Sequence, residues 1–332
     1  MNSFGRLFRV SIFGESHGQG VGIVIDGSPA GIPLHPEDFL KDLKRRLPGT
    51  PGTTSRQEPD YPEIKSGVLE NRTTGAPILI YFRNTDCRAE DYEEQKNLPR
   101  PGHADLVAFY KFGGFNDFRG GGHFSGRLTV ALVAAGVVAK KIISPAQVEA
   151  ELLEAGGSRD IQKVIDRAIE EKDSVGGIVE CRAKPLPPGL GEPFFDSVES
   201  LISHLVFAIP GIKGVEFGDG FACSQMKGSE CNDPIISKAG KTLTNHAGGI
   251  NGGITNGNEL VVRAAVKPTP SIPRPQRTMN LRTGEEKVLR LSGRHDTCIA
   301  LRVPVVLEAA VAIVLADLML IAQKIPLVWR KI

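Results

Sequence analysis

Five polar stretches rich in glycine run from one end of this chain to the other, and they restrict how it can fold. They are Phe13-Gly-Glu-Ser-His17-Gly, Arg100-Pro-Gly-His103-Ala-Asp105, Arg119-Gly-Gly-Gly-His-Phe-Ser125-Gly-Arg127, Asn245-His-Ala-Gly-Gly-Ile-Asn-Gly-Gly-Ile-Thr-Asn256-Gly and Arg294-His-Asp296-Thr-Cys298. Glycine lets backbone amides approach a ligand closely, while arginine and imidazolium supply positive charge. Five of the seven histidines fall in these stretches. If the stretches build one site, residues 1–332 form one catalytic unit, although the length alone would allow two domains. The combination points to an enzyme that handles phosphates and carboxylates.

Charge and cysteine usage narrow the class. The formal net charge is +2, and the arginines sit in glycine motifs rather than in a basic stripe. One Trp and four Tyr offer few stacking platforms for single-stranded nucleic acid. The five cysteines form no C-x-x-C pair, and their odd number argues against a disulfide framework. A cytoplasmic setting is expected. The N-terminus has no apolar core of a signal peptide. The apolar run from Val303 to Ala322 is broken by Glu308 and Asp317, which predicts a buried helix rather than a membrane span.

Short runs rich in valine, isoleucine and phenylalanine predict strands at Leu7–Phe13, Val21–Ile25, Ile78–Phe82, Gly177–Arg182, Gly214–Phe217 and Leu260–Val266. Helical spacing appears at Pro36–Arg46, Ala104–Phe112, Ser125–Ile142, Ile161–Lys172, Ser197–Ile209 and Val303–Ile325. Ser125 is a candidate N-cap, and Lys140 and Lys141 suit the C-terminal end of the same helix. Pro48–Pro62 and Lys267–Gly293 read as long irregular segments, of the kind that are often functional.

Three glycines lead into Ser125 and a helix start, so amides and the helix dipole converge between Arg119 and Arg127. Ser16 and His17 follow a strand on a glycine-flanked turn, and His103 precedes a helix opened by Asp105. Asp296 beside Arg294 is expected to stay ionised. No residue spacing suggests a metal site. His35 and His204 lie outside the motifs and read as structural.

In their order and spacing, these motifs resemble chorismate synthase over almost the whole chain. The resemblance rests mainly on Gly14-Glu-Ser-His-Gly through Pro29, Gly122-His-Phe-Ser-Gly-Arg-Leu-Thr through Gly136, and Arg294-His-Asp-Thr-Cys through Glu308. It implies an α+β fold, a β-α-β sandwich with helices packed between antiparallel sheets and pseudo-twofold internal similarity, assembled as a homotetramer. It implies an anti 1,4-elimination of phosphate from 5-enolpyruvylshikimate 3-phosphate, giving chorismate for aromatic amino acid biosynthesis. Reduced FMN is required there without net redox change. By the same resemblance, His17 would protonate the departing phosphate as an imidazolium favoured by anions. His103 would stabilise charge on the reduced flavin, and Asp296 would assist proton removal. Arg46, Arg100, Arg127 and Arg294 would clamp the substrate. Ser16, Ser125, Arg127, Asn245, Gly249, Asn256, Lys267 and Ser271 would contact the flavin.

The loop after Arg46 offers only Arg56 as a further cation, where relatives carry more. No appended region suggests a built-in reductase, so reduced FMN is expected from an external flavin reductase. Two other classes stay open on sequence. One is a flavoprotein oxidoreductase consuming NAD(P)H; the other is a glycine-loop nucleotide or RNA binder.

Overall fold

The computed structural model of the chain describes residues 2–56, 58–86, 96–291 and 295–329. Arg294 and Cys87 lie outside the described residues. The first third builds a sheet from β1 (Ser3–Phe4), β2 (Arg9–Gly14), β3 (Gly20–Asp26) and β4 (Glu63–Ser66). The helix α1 (Leu40–Arg46) lies between β3 and β4. A small hairpin, β5 (Val68–Leu69) and β6 (Arg72–Thr73), precedes β7 (Ile78–Arg83). The order is β1-β2-β3-β7-β4, antiparallel throughout, with Ile23 opposite Ile80. In β7 the alternation typical of a half-buried strand is plain: Ile78, Ile80 and Phe82 are buried, and their neighbours are not.

After α2 (Asp105–Phe112) and α3 (Thr129–Ile142) comes the second sheet. Its strands are β8 (Gln147–Ala155), β9 (Gly177–Lys184), β10 (Ile212–Phe217) and β13 (Leu260–Val266), ordered β10-β13-β9-β8 and again antiparallel. Between them run α4 (Ile161–Glu170), α5 (Val198–Val206), the short α6 (Gly228–Cys231) and the hairpin β11 (Ile250–Asn251) with β12 (Ile254–Thr255). A further hairpin, β14 (Gln276–Met279) with β15 (Glu286–Leu289), precedes α7 (Val303–Ile321).

Helices α3 and α7 pack on each other between the sheets. The first lies on β3 and β7, the second on β8 and β9. Both are apolar nearly all round, as a helix enclosed on every side must be. They approach closely because Gly136 faces Ala309, where an added Cβ would overlap. The fold is therefore α+β, a β-α-β sandwich as expected, with core residues drawn from Phe8 to Leu320.

Although long and apolar enough to cross a membrane, α7 is buried inside the fold. Its two acids have partners there. Glu308 receives both guanidinium nitrogens of Arg45 (2.7 and 2.6 Å), the Lys140 ammonium (2.7 Å) and the Ala150 amide (2.8 Å). Asp317 accepts from the amides of Arg6, Leu7 and Phe8 at 2.7–2.9 Å, which pins the N-terminal segment to the helix. Buried charge is tolerated on these terms.

Sequence and structure differ at β8. Gln-Val-Glu-Ala-Glu-Leu-Leu-Glu-Ala is built of good helix formers, yet it lies at the edge of the second sheet. Pairing along β9 and burial of Val148 override local propensity. The β14–β15 hairpin likewise occupies part of the stretch read as irregular.

Candidate active site

The turn from β2 to β3 carries Ser16 and His17, and it is tied to the glycine run before α3 by a hydrogen bond from Ser16 N to Gly122 O at 3.1 Å. Gly120, Gly121 and Gly122 have φ values of 57, 82 and 52°, a left-handed path that side chains disfavour. Close approach demands glycine here as well. A Cβ on Gly120 would overlap the His17 ring, and one on Gly121 would stand 3.1 Å from His103 Cε1. Two imidazoles more than eighty positions apart thus flank one stretch of backbone. Ser125 closes the run as N-cap of a single 3-10 turn, Gly126–Leu128, its Oγ accepting from Arg127 N at 3.3 Å, and α3 follows from Thr129 rather than from Ser125 as expected.

Two cavities that share lining residues open around this turn. The larger, about 650 Å³, has an apolar wall that includes Phe4, Ile12, Leu132, Leu205 and Val306. Arg100, His103, Lys267 and Ser271 supply polar groups on its lining. The smaller, about 180 Å³, is lined by Ser16, His17, Arg56 and Arg127. Arg46, Arg100, Ser125, Asp296 and Arg302 line both.

The arginines are held by carboxylates. Asp60, fully buried, takes Arg46 on one oxygen and Arg127 on the other. Arg127 also donates to Asn84 Oδ1 (3.0 Å) and Arg83 O (3.4 Å), so most of its donors are committed. Arg46 is freer: its Nε is buried without a hydrogen-bond partner among the described residues. Arg56 reaches Ser16 through Oγ (2.9 Å) and O (3.0 Å) and pairs with Glu58 at 2.7 Å. Arg100 pairs with Asp105, Arg119 with Asp117, and Arg302 with Asp296. Asp296 also accepts from Thr54 N at 2.9 Å, and Arg302 donates to Arg46 O at 2.8 Å.

These partners set the protonation states. Burial alone would raise the Asp60 carboxyl, but Arg46 and Arg127 outweigh it and hold it below the usual range. Both guanidiniums are pulled down by burial, with Asp60 opposing. His17 is lowered to about 4, first by burial and then by Arg56, with Arg119 adding and Asp117 and Glu58 opposing. Burial and Arg56 thus favour the neutral imidazole at His17.

Of the residues expected from sequence, Ser16, His17, Arg46, Arg100, His103, Ser125, Arg127, Lys267, Ser271 and Asp296 line one or both cavities. Lys267 donates from Nζ to Gly102 O, joining the proline-rich segment to the His103 loop. Asn245, Gly249 and Asn256 line neither cavity. Asn245 closes its own loop instead, with Oδ1 accepting from Gly249 N at 2.9 Å and Nδ2 donating to Glu259 O at 2.8 Å. Asn256 donates to Asn251 Oδ1 at 2.7 Å.

Sequence reasoning missed His295, Arg302, Thr269, Glu58 and Asp60. Thr269 lines both cavities, and its buried Oγ1 has no partner among the described residues. Arg56-Gln-Glu58-Pro-Asp60 held the one available signal, two acids spaced closely after a basic loop. His204, read as structural, forms part of the larger cavity wall, edge-on to Phe4 with ring centroids 5.2 Å apart.

The family model described as chorismate synthase matches residues 8–320. A chorismate synthase of Chitinophaga pinensis is 63% identical over 98% of both chains. That of Dehalococcoides mccartyi is 45% identical over 99% of this chain and 100% of its own. A crystal structure of chorismate synthase superposes with a TM-score of 0.74 at 29% identity, covering 96% of this chain and 93% of the other. Matched over nearly its full length by the family model, by these relatives and by the crystal structure, the chain belongs to the chorismate synthase family, lyases that form chorismate for aromatic amino acid biosynthesis.

Proposed function

We propose that the larger cavity takes reduced FMN and the smaller one 5-enolpyruvylshikimate 3-phosphate, from which the enzyme eliminates phosphate in an anti 1,4 sense. The observation that carries this reading is the Gly120–Gly122 backbone held between His17 and His103, at the junction of an apolar cavity and an arginine-lined one. A flat heterocycle with one polar edge suits the larger space: apolar walls for the rings, and Lys267, Ser271 and the unpartnered Thr269 Oγ1 for its polar atoms. When bound, reduced flavin supplies electron density to an allylic centre left electron-poor by loss of phosphate.

The chain's own residues do the rest. Arg46, with Nε uncommitted, and Arg56 meet the phosphate; Arg100 meets a carboxylate or the flavin edge. Arg127, largely committed to Asp60 and Asn84, shapes the pocket and adds charge. Arg294 belongs to the same clamp by its place in the motif, outside the described residues. A phosphate dianion beside His17 counteracts burial and Arg56, so the imidazole takes up a proton and returns it to the leaving phosphate. Asp296, paired with Arg302, orients the groups that remove the substrate proton. Ser16 and Ser125 bound the junction. Asn245, Gly249 and Asn256, which line neither cavity, stay in the reading only as residues of a loop proposed to border the flavin.

The reading extends to a homotetramer supplied by an external flavin reductase in the cytoplasm. Exposed Phe109, Tyr110, Phe112 and Phe115 on and after α2 support association, and the unpaired Cys181, Cys223, Cys231 and Cys298 suit a reducing compartment. Anaerobic incubation with reduced FMN and the enolpyruvyl substrate tests the reaction. Stoichiometric phosphate and chorismate are expected, with no NAD(P)H consumed per turnover. No product from enzyme with FMN bound would overturn the reading.

A further inference from the structure

Asp105 opens α2 beside the larger cavity, and its two oxygens serve several donors. Oδ2 accepts from Arg100 N at 3.0 Å and Arg100 Nε at 2.7 Å. Oδ1 accepts from Arg100 Nη2 at 2.8 Å and lies 2.6 Å from His103 Nδ1. Arg100 Nη2 is itself 3.1 Å from the same ring nitrogen.

These neighbours make incompatible demands on Nδ1. A guanidinium only donates, so a hydrogen bond from Arg100 needs a lone pair there. An ionised carboxylate only accepts, so a bond to Asp105 needs a proton there. The carboxylate contact is shorter and charge-assisted. Asp105 is ionised: burial opposes this, but hydrogen bonds from Arg100 and His103 hold its carboxyl well below the usual range. Nδ1 therefore carries the proton. Arg100 spends its own donors on Asp105 and on Ser271 Oγ at 3.2 Å. The other nitrogen lies at the glycine turn, where a Cβ on Gly121 would stand 3.3 Å from Nε2.

We propose that Asp105 is a positioning residue for His103, fixing the proton on Nδ1 so that Nε2 is the ring nitrogen offered to the cavity. The inference rests on the reading of His103 as a group that meets the bound ligand. The charged groups around the ring come from three segments: Arg100 and Asp105 from its own, Lys267 through Gly102 O, and the Asp117–Arg119 pair on the loop that packs Gly121 against it. With Nδ1 committed, any proton or hydrogen bond exchanged with a ligand passes through Nε2 alone. The arrangement differs from a bare histidine on a loop, which in water favours the proton on Nε2.

Ring nitrogen-15 spectra of the ligand-free protein, with His103 assigned by His103→Ala, test this without relying on turnover. The wild type is expected to show a protonated Nδ1 when the ring is neutral, and a bare Nδ1 would overturn the proposal with no variant needed. Asp105→Ala should move the ring towards the Nε2–H form, while Asp105→Glu should keep Nδ1 protonated. In the phosphate-release assay, Asp105→Ala should lower kcat by about 10- to 100-fold, as loss of a ring-orienting partner does elsewhere. In a His103→Ala background the same change should cost less than about threefold in kcat, because its effect acts through the ring. An equal kcat loss in both backgrounds, or an Nδ1 proton retained in Asp105→Ala, would overturn the proposal. Failure of the wild type to form chorismate would instead sink the proposed reaction and leave the ring spectra to decide this point.

Discussion

Gly120 packs directly against the imidazole of His17, and no side chain fits between them. The imidazole proposed to protonate the leaving phosphate is thus held by a residue that has nothing to hold it with except the absence of atoms. Gly120→Ala must displace the ring as well as adopt φ 57°. A shift of about 1 Å in a reacting group costs about 100-fold in rate, whereas the left-handed alanine costs about 1 kcal/mol of stability. Phosphate release and urea unfolding measured side by side should show a large loss in the first and a small one in the second. Turnover at the wild-type rate would refute the packing argument.

Asp60 is the shared counter-charge of Arg46 and Arg127. Asp60→Asn leaves two buried guanidiniums facing each other, and about 3–5 kcal/mol of stability should be lost. Arg127→Ala leaves Asp60 paired with Arg46, so the loss should be smaller, with weaker binding of the phosphorylated ligand. Denaturant titration of both variants checks the order. The account fails if Asp60→Asn is the milder of the two.

The lowered His17 gives stability a defined pH dependence. Its folded value is about 4 against 6.5 for the free group, so the unfolded chain takes up a proton first. Above the unfolded value both states are neutral and the group contributes nothing. As pH falls from there towards the folded value, the unfolded state is favoured and stability declines. His17→Gln removes this contribution, and the difference in unfolding free energy between pH 7 and pH 5 should shrink. An identical pH dependence in wild type and variant would place the titration elsewhere.

Ser125 combines a cap with a place in both cavities. Ser125→Ala should cost about 1 kcal/mol as a lost N-cap. Ser125→Asp keeps an acceptor for the Arg127 amide but introduces a negative charge beside the anion site. Thermal melts should therefore rank aspartate above alanine, while titration with the phosphorylated substrate should rank alanine above aspartate. The same ranking in both assays would mean that Ser125 acts only through the helix.

Much of the fold was legible because the layers bury their residues in simple patterns. Runs such as Ile78–Arg83 alternate, and Val303–Ile321 is apolar on every face, so periodicity and length identify them. Strand β8 was not legible, because glutamate, alanine and leucine suit a helix until β9 is there to pair with. In the site, glycine beside arginine or histidine gave away the cationic side. The acids that hold those cations did not stand out, since Glu58, Asp60 and Asp117 look like ordinary loop carboxylates until Arg56, Arg127 and Arg119 close on them. Nor did local sequence tell that the Asn245 side chain closes its own loop through Gly249 and Glu259.

The pairing of guanidiniums with carboxylates also bears on selectivity. Arg56, Arg100, Arg119 and Arg302 each have an acid of their own, and Arg46 and Arg127 share one. Chloride or acetate entering such a lattice meets little uncompensated attraction and must still shed its hydration shell. A molecule bearing a phosphate and two carboxyl groups engages several of these partners together, so each weak residual field adds to the next. The internal acids thereby act as a threshold that simple salts of the cell fail to cross and a polyvalent metabolite passes.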